Sequence, residues 1–174
     1  MPDATLSQAL AEAYAAAPAA EVVLHTLEIW HASFTAPVRV VRDFADLTAT
    51  LEAGAPRNPG AAVTFTAYAF DFRAPEVSSD APPTLTIELD NVSQELLAQI
   101  DLSTASTTPI SVIYRVYLAS ATSAPQNSPP LVLEVQSIQV SPTRISIECG
   151  FLDLANRRFP SVDYTADVYP GLIA

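Results

Sequence analysis

The sequence predicts a mainly β single domain, an antiparallel β-sandwich or rolled β-barrel with an N-terminal helix and one short internal helix. Three observations carry that expectation. About seven runs are rich in β-branched and aromatic residues, only two segments read as helices, and the turn signals fall at hairpin-like spacing rather than at the spacing of βαβ units. The 174 residues suit one core, burying roughly 70% of the surface that the unfolded chain exposes.

The elements follow in order. Residues 5–17 open on the capping hydroxyl of Thr5, place Leu6, Leu10 and Tyr14 on one face and stop at Pro18, which makes a three-turn helix. Residues 21–31 and 37–42 are β-rich and flank a short Ser33-Phe34-Thr35-Ala36 stretch, as an antiparallel pair would. The polar segment 43–60, with Asp43, Asp46, Gly54, Pro56, Asn58, Pro59 and Gly60, reads as a long loop. Residues 62–72 alternate over their whole length, as one long strand with an aromatic face of Tyr68, Phe70 and Phe72. A Pro/Ser-rich loop at 74–83 leads into a strand at 84–89. Asp90, Asn91 and Ser93 then offer capping oxygens to a short helix at 94–100, whose Leu96, Leu97 and Ile100 pack back on the sheet. After the Ser/Thr-rich turn 103–108 come a strand at 110–118, a loop with Pro125, Pro129 and Pro130, a strand at 131–140 and, past Pro142, a last strand at 144–149.

Composition narrows the chemistry. With 49% hydrophobic and 16% charged residues the chain is not disordered, and no apolar run reaches the 18 or so residues of a membrane span, so no membrane partner is expected. The N-terminus Met1-Pro2-Asp3-Ala4-Thr5 lacks a basic stretch followed by a hydrophobic one, which predicts synthesis that stays in the cytoplasm. The single Cys149 alternates with Ile145 and Ile147 and reads as a small buried hydrophobe. His25 and His31 would stand about 20 Å apart on an unbroken strand, too far to share a metal. Asp43, Asp46, Asp71, Glu76 and Asp80 lack calcium-loop spacing, no Gly-x-Ser-x-Gly is present, and four scattered glycines form no phosphate cradle. These patterns predict no enzyme, and no catalytic, cofactor-binding or metal-binding residues. The net charge of −11 includes no lysine, only arginines 39, 42, 57, 73, 115, 144, 157 and 158. Such a surface repels nucleic acid rather than gripping it, and lets DNA slide past without adhering.

The last eighteen residues follow neither period, yet they are dense in apolar groups. Phe159-Pro160 and Tyr169-Pro170 favour an extended chain, and burying each large side chain is worth roughly 1.5–3 kcal/mol, so this tail must dock on something. Residues 1–156 therefore form the β domain, and 157–174 an extended aromatic strap. Its candidate subunit-interface residues are Arg157, Arg158, Phe159, Pro160, Tyr164, Tyr169, Pro170, Gly171 and Leu172. Two readings stay open, a strap that closes its own core and one that lies on a neighbouring subunit or layer.

Ser7-Gln-Ala-Leu-Ala-Glu-Ala-Tyr14, Asp46-Leu-Thr-Ala-Thr-Leu51, Leu89-Asp90-Asn91-Val92, Phe159-Pro-x-x-x-Tyr164 and Tyr169-Pro-Gly-Leu172 together resemble a family of siphophage and prophage tail-tip proteins, along nearly the whole chain. The resemblance implies a structural minor tail, or distal tail, protein of the virion, assembled in the host bacterial cytoplasm. It would form a ring of its own copies, a trimer or hexamer, between tail tube and baseplate hub around the DNA channel. Its partners would be the neighbouring tail-tube and tail-hub proteins, with phage DNA passing through the lumen unbound. A related group appends a cysteine-rich cluster-binding domain, a feature that one cysteine cannot support. The alternative reading is a carbohydrate- or receptor-binding β-sandwich at the tail end, with Trp30, Tyr68, Tyr114 and Tyr117 as stacking faces.

Overall fold

A computed structural model describes residues 7–16, 21–73, 84–90, 103, 106, 108–141 and 143–151. Across them run one helix, α1 (Gln8–Ala16), and nine strands: β1 (Val23–Trp30), β2 (Val38–Val41), β3 (Leu47–Thr50), β4 (Ala62–Ala67), β5 (Phe70–Arg73), β6 (Thr84–Asp90), β7 (Ser111–Leu118), β8 (Leu131–Val140) and β9 (Arg144–Gly150). The predicted internal helix at 94–100, the loop 74–83 and the strap 157–174 lie outside the described residues.

The strands form one sheet in the order β3-β4-β2-β1-β7-β8-β9-β6-β5. β4 stands next to one end of that order and β5 is the other end, yet only Tyr68 and Ala69 separate them along the chain. Three Cα steps span at most about 11 Å, so the sheet must roll far enough to bring the end of β4 beside the start of β5, while its edge strands β3 and β5 stay unpaired with each other. The roll is predicted; the break inside the expected long strand 62–72 is a correction. Phe65 and Phe70 are both buried, at 0% and 4% exposure, but they have opposite parity. They belong to separate buried clusters, so both sides of this run are covered, and the break at Tyr68–Ala69 marks where the chain leaves the β2 and β3 ladders for the one with β6.

Two further differences have local causes. The expected loop 43–60 contains β3, whose Leu47 and Ala49 are buried while Thr48 is exposed. Four residues without a bulky β-former leave too short a pattern to detect among Asp, Gly and Pro. β2 and β4 pair in parallel, Val40 with Thr66 and Val41 with Ala67, whereas the other ladders are antiparallel as expected. The parallel pairing follows from β3 intervening as the antiparallel return strand.

Inside the roll, Leu27, Ile29, Val40, Phe70, Ile87, Leu89, Val112, Leu133, Ile145, Ile147 and Cys149 make one core. Cys149 lies there as predicted, and burial pushes its thiol up to about 12. Helix α1 packs Leu10 and Ala13 against Val116 and Leu118. Its cap is Ser7, whose hydroxyl accepts from the Leu10 N–H at 3.2 Å and donates to Gln126 Oε1 at 2.8 Å. Thr5 and Leu6 lie outside the described residues, and Tyr14, expected on the packed face, is 54% exposed. A second core of Leu24, Val41, Leu47, Ala49, Leu51, Ala55, Phe65 and Tyr117 lies on the outer side of β1 and β7. Both faces of these strands are thus covered, which explains their near-continuous burial in place of alternation.

Candidate interaction surface

The outer face of β1 and β7 also carries charge. Register sets Thr26 opposite Arg115 and Glu28 opposite Arg39, and side chains two residues apart share a face, so Glu28, Arg39 and Arg115 stand together. The segment 51–61 completes the set by folding back over them. Asn58 (φ 51°) and Gly60 (φ 67°) occupy left-handed backbone, which Asn and Gly adopt at least cost, and the Gly60 N–H closes on the Glu52 carbonyl at 3.2 Å. That fold brings Glu52 and Arg57 onto the same face.

Glu28 has no solvent exposure, and its two oxygens meet three guanidinium groups. Arg57 Nε donates to Oε1 at 2.9 Å, Arg39 Nε to Oε2 at 3.0 Å, and Arg115 Nη1 to Oε2 at 3.5 Å. Arg115 is equally buried and grips Glu52 with two 2.8 Å bonds, the bidentate geometry that carboxylates favour. Burial alone would raise the pKa of Glu52, but its hydrogen bond and charge contact with Arg115 hold it below the usual carboxylate range. For Arg115 burial works downward, and the same pairing with Glu52 and Glu28 raises it instead. Arg39 also donates to Asn58 Oδ1 at 2.9 Å, and the Arg57 guanidinium lies 5.2 Å from the centre of the Trp30 ring. The network ties the 51–61 segment to the sheet. Its carboxylates are held by cations.

Next to Glu52 opens a pocket of about 570 Å³, within the ordinary size of ligand and peptide sites. Ala53 and Pro56 form one lip, Ile113 and Val132 the floor, and Pro125, Pro129 and Pro130 the opposite lip. The second lip is pinned where the β7–β8 ladder stops at Tyr114. There the Asn127 side chain accepts from the Val116 N–H at 2.9 Å and donates to the Tyr114 carbonyl at 3.1 Å, and the Gln126 N–H donates to the Val116 carbonyl at 2.7 Å. Sequence reasoning marks both segments as proline-bearing loops and does not bring them together. The clustering of prolines in these two loops, four of which line the pocket, is the one signal that could have found it.

The residues flagged from sequence are placed as follows. The strap set Arg157, Arg158, Phe159, Pro160, Tyr164, Tyr169, Pro170, Gly171 and Leu172 lies outside the described residues. His25 bonds the Tyr114 hydroxyl at 2.7 Å, and His31 bonds Ser33 Oγ at 2.6 Å. Asp43 accepts from the Phe44 N–H, and Asp46 from the Ala67 N–H. Of the four aromatic residues considered as stacking faces, Tyr117 is fully buried with its hydroxyl donating to the Thr50 carbonyl, while Trp30, Tyr68 and Tyr114 pack against the inner core. No group of three or more His, Cys, Asp or Glu residues suited to a metal occurs among the described residues.

Fold and surface together define a rolled β domain with an ion network on one wall and a proline-rimmed apolar pocket beside it. The chain belongs to the family described as a domain of unknown function, DUF1833, which matches residues 9–164. That match covers all nine strands and continues to residue 164. No curated protein matches the chain.

Proposed function

We propose that this protein is a structural component of a phage tail tip, a minor or distal tail protein. Several copies would form a ring linking tail tube to baseplate hub around the DNA channel. The observation that carries the reading is the state of the cations. Each of the six arginines among the described residues is in an ion pair: Arg39 and Arg57 with Glu28, Arg42 with Asp71, Arg73 and Arg144 with Glu88, and Arg115 with Glu28 and Glu52. With no lysine in the chain, the field of this domain is set by its remaining carboxylates. A wall of that kind suits a lumen through which DNA passes at one negative charge per roughly 1.7 Å without being held. The tail-tip motifs quoted above give the same direction.

Apolar surface supports assembly over solitary life. Phe44, in the turn after β2, is fully exposed, and Val132 is 54% exposed at the floor of the pocket. The rival carbohydrate-binding reading has less to stand on, since Tyr117 is buried and Trp30 is covered by Arg57. The test is immunogold labelling, with mass spectrometry, of particles made by the phage or prophage that encodes the chain. Label confined to the tail tip is expected. Particles free of the protein would contradict the proposal.

A further inference from the structure

Resting on that reading, we propose that the pocket between the 52–56 turn and the 124–130 loop receives the C-terminal strap of a second copy of this chain. Phe159-Pro160 would seat among the prolines, with Arg157 and Arg158 beside Glu134. Three independent features point to this occupant.

The first is shape and chemistry. A 570 Å³ pocket floored by Ile113 and Val132 and edged by Pro56, Pro125 and Pro129 offers flat apolar walls to an aromatic ring. The strap is the one segment that presents aromatic-Pro steps, twice. Its prolines also reduce the freedom lost on docking.

The second is charge. The six arginines among the described residues are each paired within the domain, and the strap segment carries the other two of the chain, Arg157 and Arg158, in a protein of net charge −11. Glu134 stands two residues along β8 from Val132, on the same face, and makes no ion pair among the described residues.

The third is where the chain leaves. β9 runs antiparallel to β8 and sets Gly150 opposite Glu134, so the chain exits past Phe151 towards the Val132 end, alongside its own pocket. Two or three residues reach that flank. Phe159 lies eight residues beyond Phe151, about 26 Å in extended chain. A strap kept extended at its proline steps passes its own pocket before its aromatic part begins, and that part reaches a neighbour.

Cross-linking of the full-length protein tests the assignment. Ala53→Cys places a thiol on the pocket lip, and Ser161→Cys places one next to the intact Phe159-Pro160 step. Cys149 stays silent because it is buried. On mild oxidation of a mixture of the two variants, a disulfide-linked dimer containing one chain of each is expected. Adding Ala124→Trp, an exposed position on the pocket wall, to the first variant should lower the yield about tenfold or more, with the melting temperature unchanged. No mixed dimer, or a link that a chain carrying both Ala53→Cys and Ser161→Cys forms only within itself, overturns the proposal. A mixed dimer from a protein missing from the particles would sink the tail-tip reading alone, and tail-tip label without a mixed dimer would sink the pocket assignment alone.

Discussion

Glu28 shows how one residue holds two parts of the molecule in register. It faces three arginines from β2, β7 and the 51–61 segment without solvent to share the load. Glu28→Gln leaves Arg115 buried beside a neutral amide, and urea denaturation should show a loss of about 3–5 kcal/mol. Arg42→Ala, which breaks a half-exposed pair with Asp71, should cost under about 1 kcal/mol. His25 and Glu52 separate in pH. Burial, then the charge of Arg42, holds the pKa of His25 below 6.5, so below that pH the unfolded chain binds its proton first and stability falls until the lowered folded value is reached. The pKa of Glu52 is lowered, so its contribution is present above 4.5 and is lost as pH falls through the folded value. Melting curves between pH 8 and 3 should therefore show two steps, and His25→Gln should remove the upper one only. Phe44, fully exposed, belongs to a different class: Phe44→Ser should leave stability within about 0.5 kcal/mol while weakening self-association measured by sedimentation.

Helix α1 makes the same distinction among elements. Leu10→Ala removes a side chain with no exposure from the Val116–Leu118 contact and should cost about 2–5 kcal/mol, whereas Tyr14→Ala should cost under about 1 kcal/mol, both read by denaturation. By spacing Tyr14 and Leu10 are equivalent, because spacing alone does not say which flank of a short helix meets the sheet. Strands β1, β2 and β6 to β9 are legible because each carries five or more alternating or β-branched residues, or faces such a run; short turns fix the antiparallel pairing of β1 with β2 and of β8 with β9, whereas the β1–β7 and β6–β9 ladders join distant segments and leave no local signal. β3 is not legible, since two alanine- or leucine-sized groups among threonines carry too little signal. The Tyr68–Ala69 break is hidden for another reason: an alternating run reads the same whether it stays in one ladder or passes from one end of a sheet to the other. The charge network is the hardest to foresee. Glu28, Glu52, Arg57 and Arg115 are spread over 88 positions; the β1–β7 ladder joins Glu28 to Arg115, and the left-handed turn at Asn58 and Gly60 adds Glu52 and Arg57.

On the scale of the whole molecule, the proposed role rests on the paired arginines and the acidic balance, a charge state that suits a wall which DNA passes without being held. Once assembled, the ring should turn a disproportionate share of its nineteen acidic groups towards the channel, and a map of the intact tail tip with an arginine-lined lumen would refute this. In the proposed assembly the strap joins copies. A strap that merely sealed its own core would, if deleted, take several kcal/mol of apolar burial with it and leave a chain that melts early. The most direct measurement is the solution mass of the full chain beside a chain ending at Asn156, each with its melting curve. The account predicts a closed assembly of three or six full-length chains, and a truncated chain that is monomeric and melts at nearly the same temperature. A full chain that stays monomeric, a truncation that still assembles, or one that unfolds would contradict it.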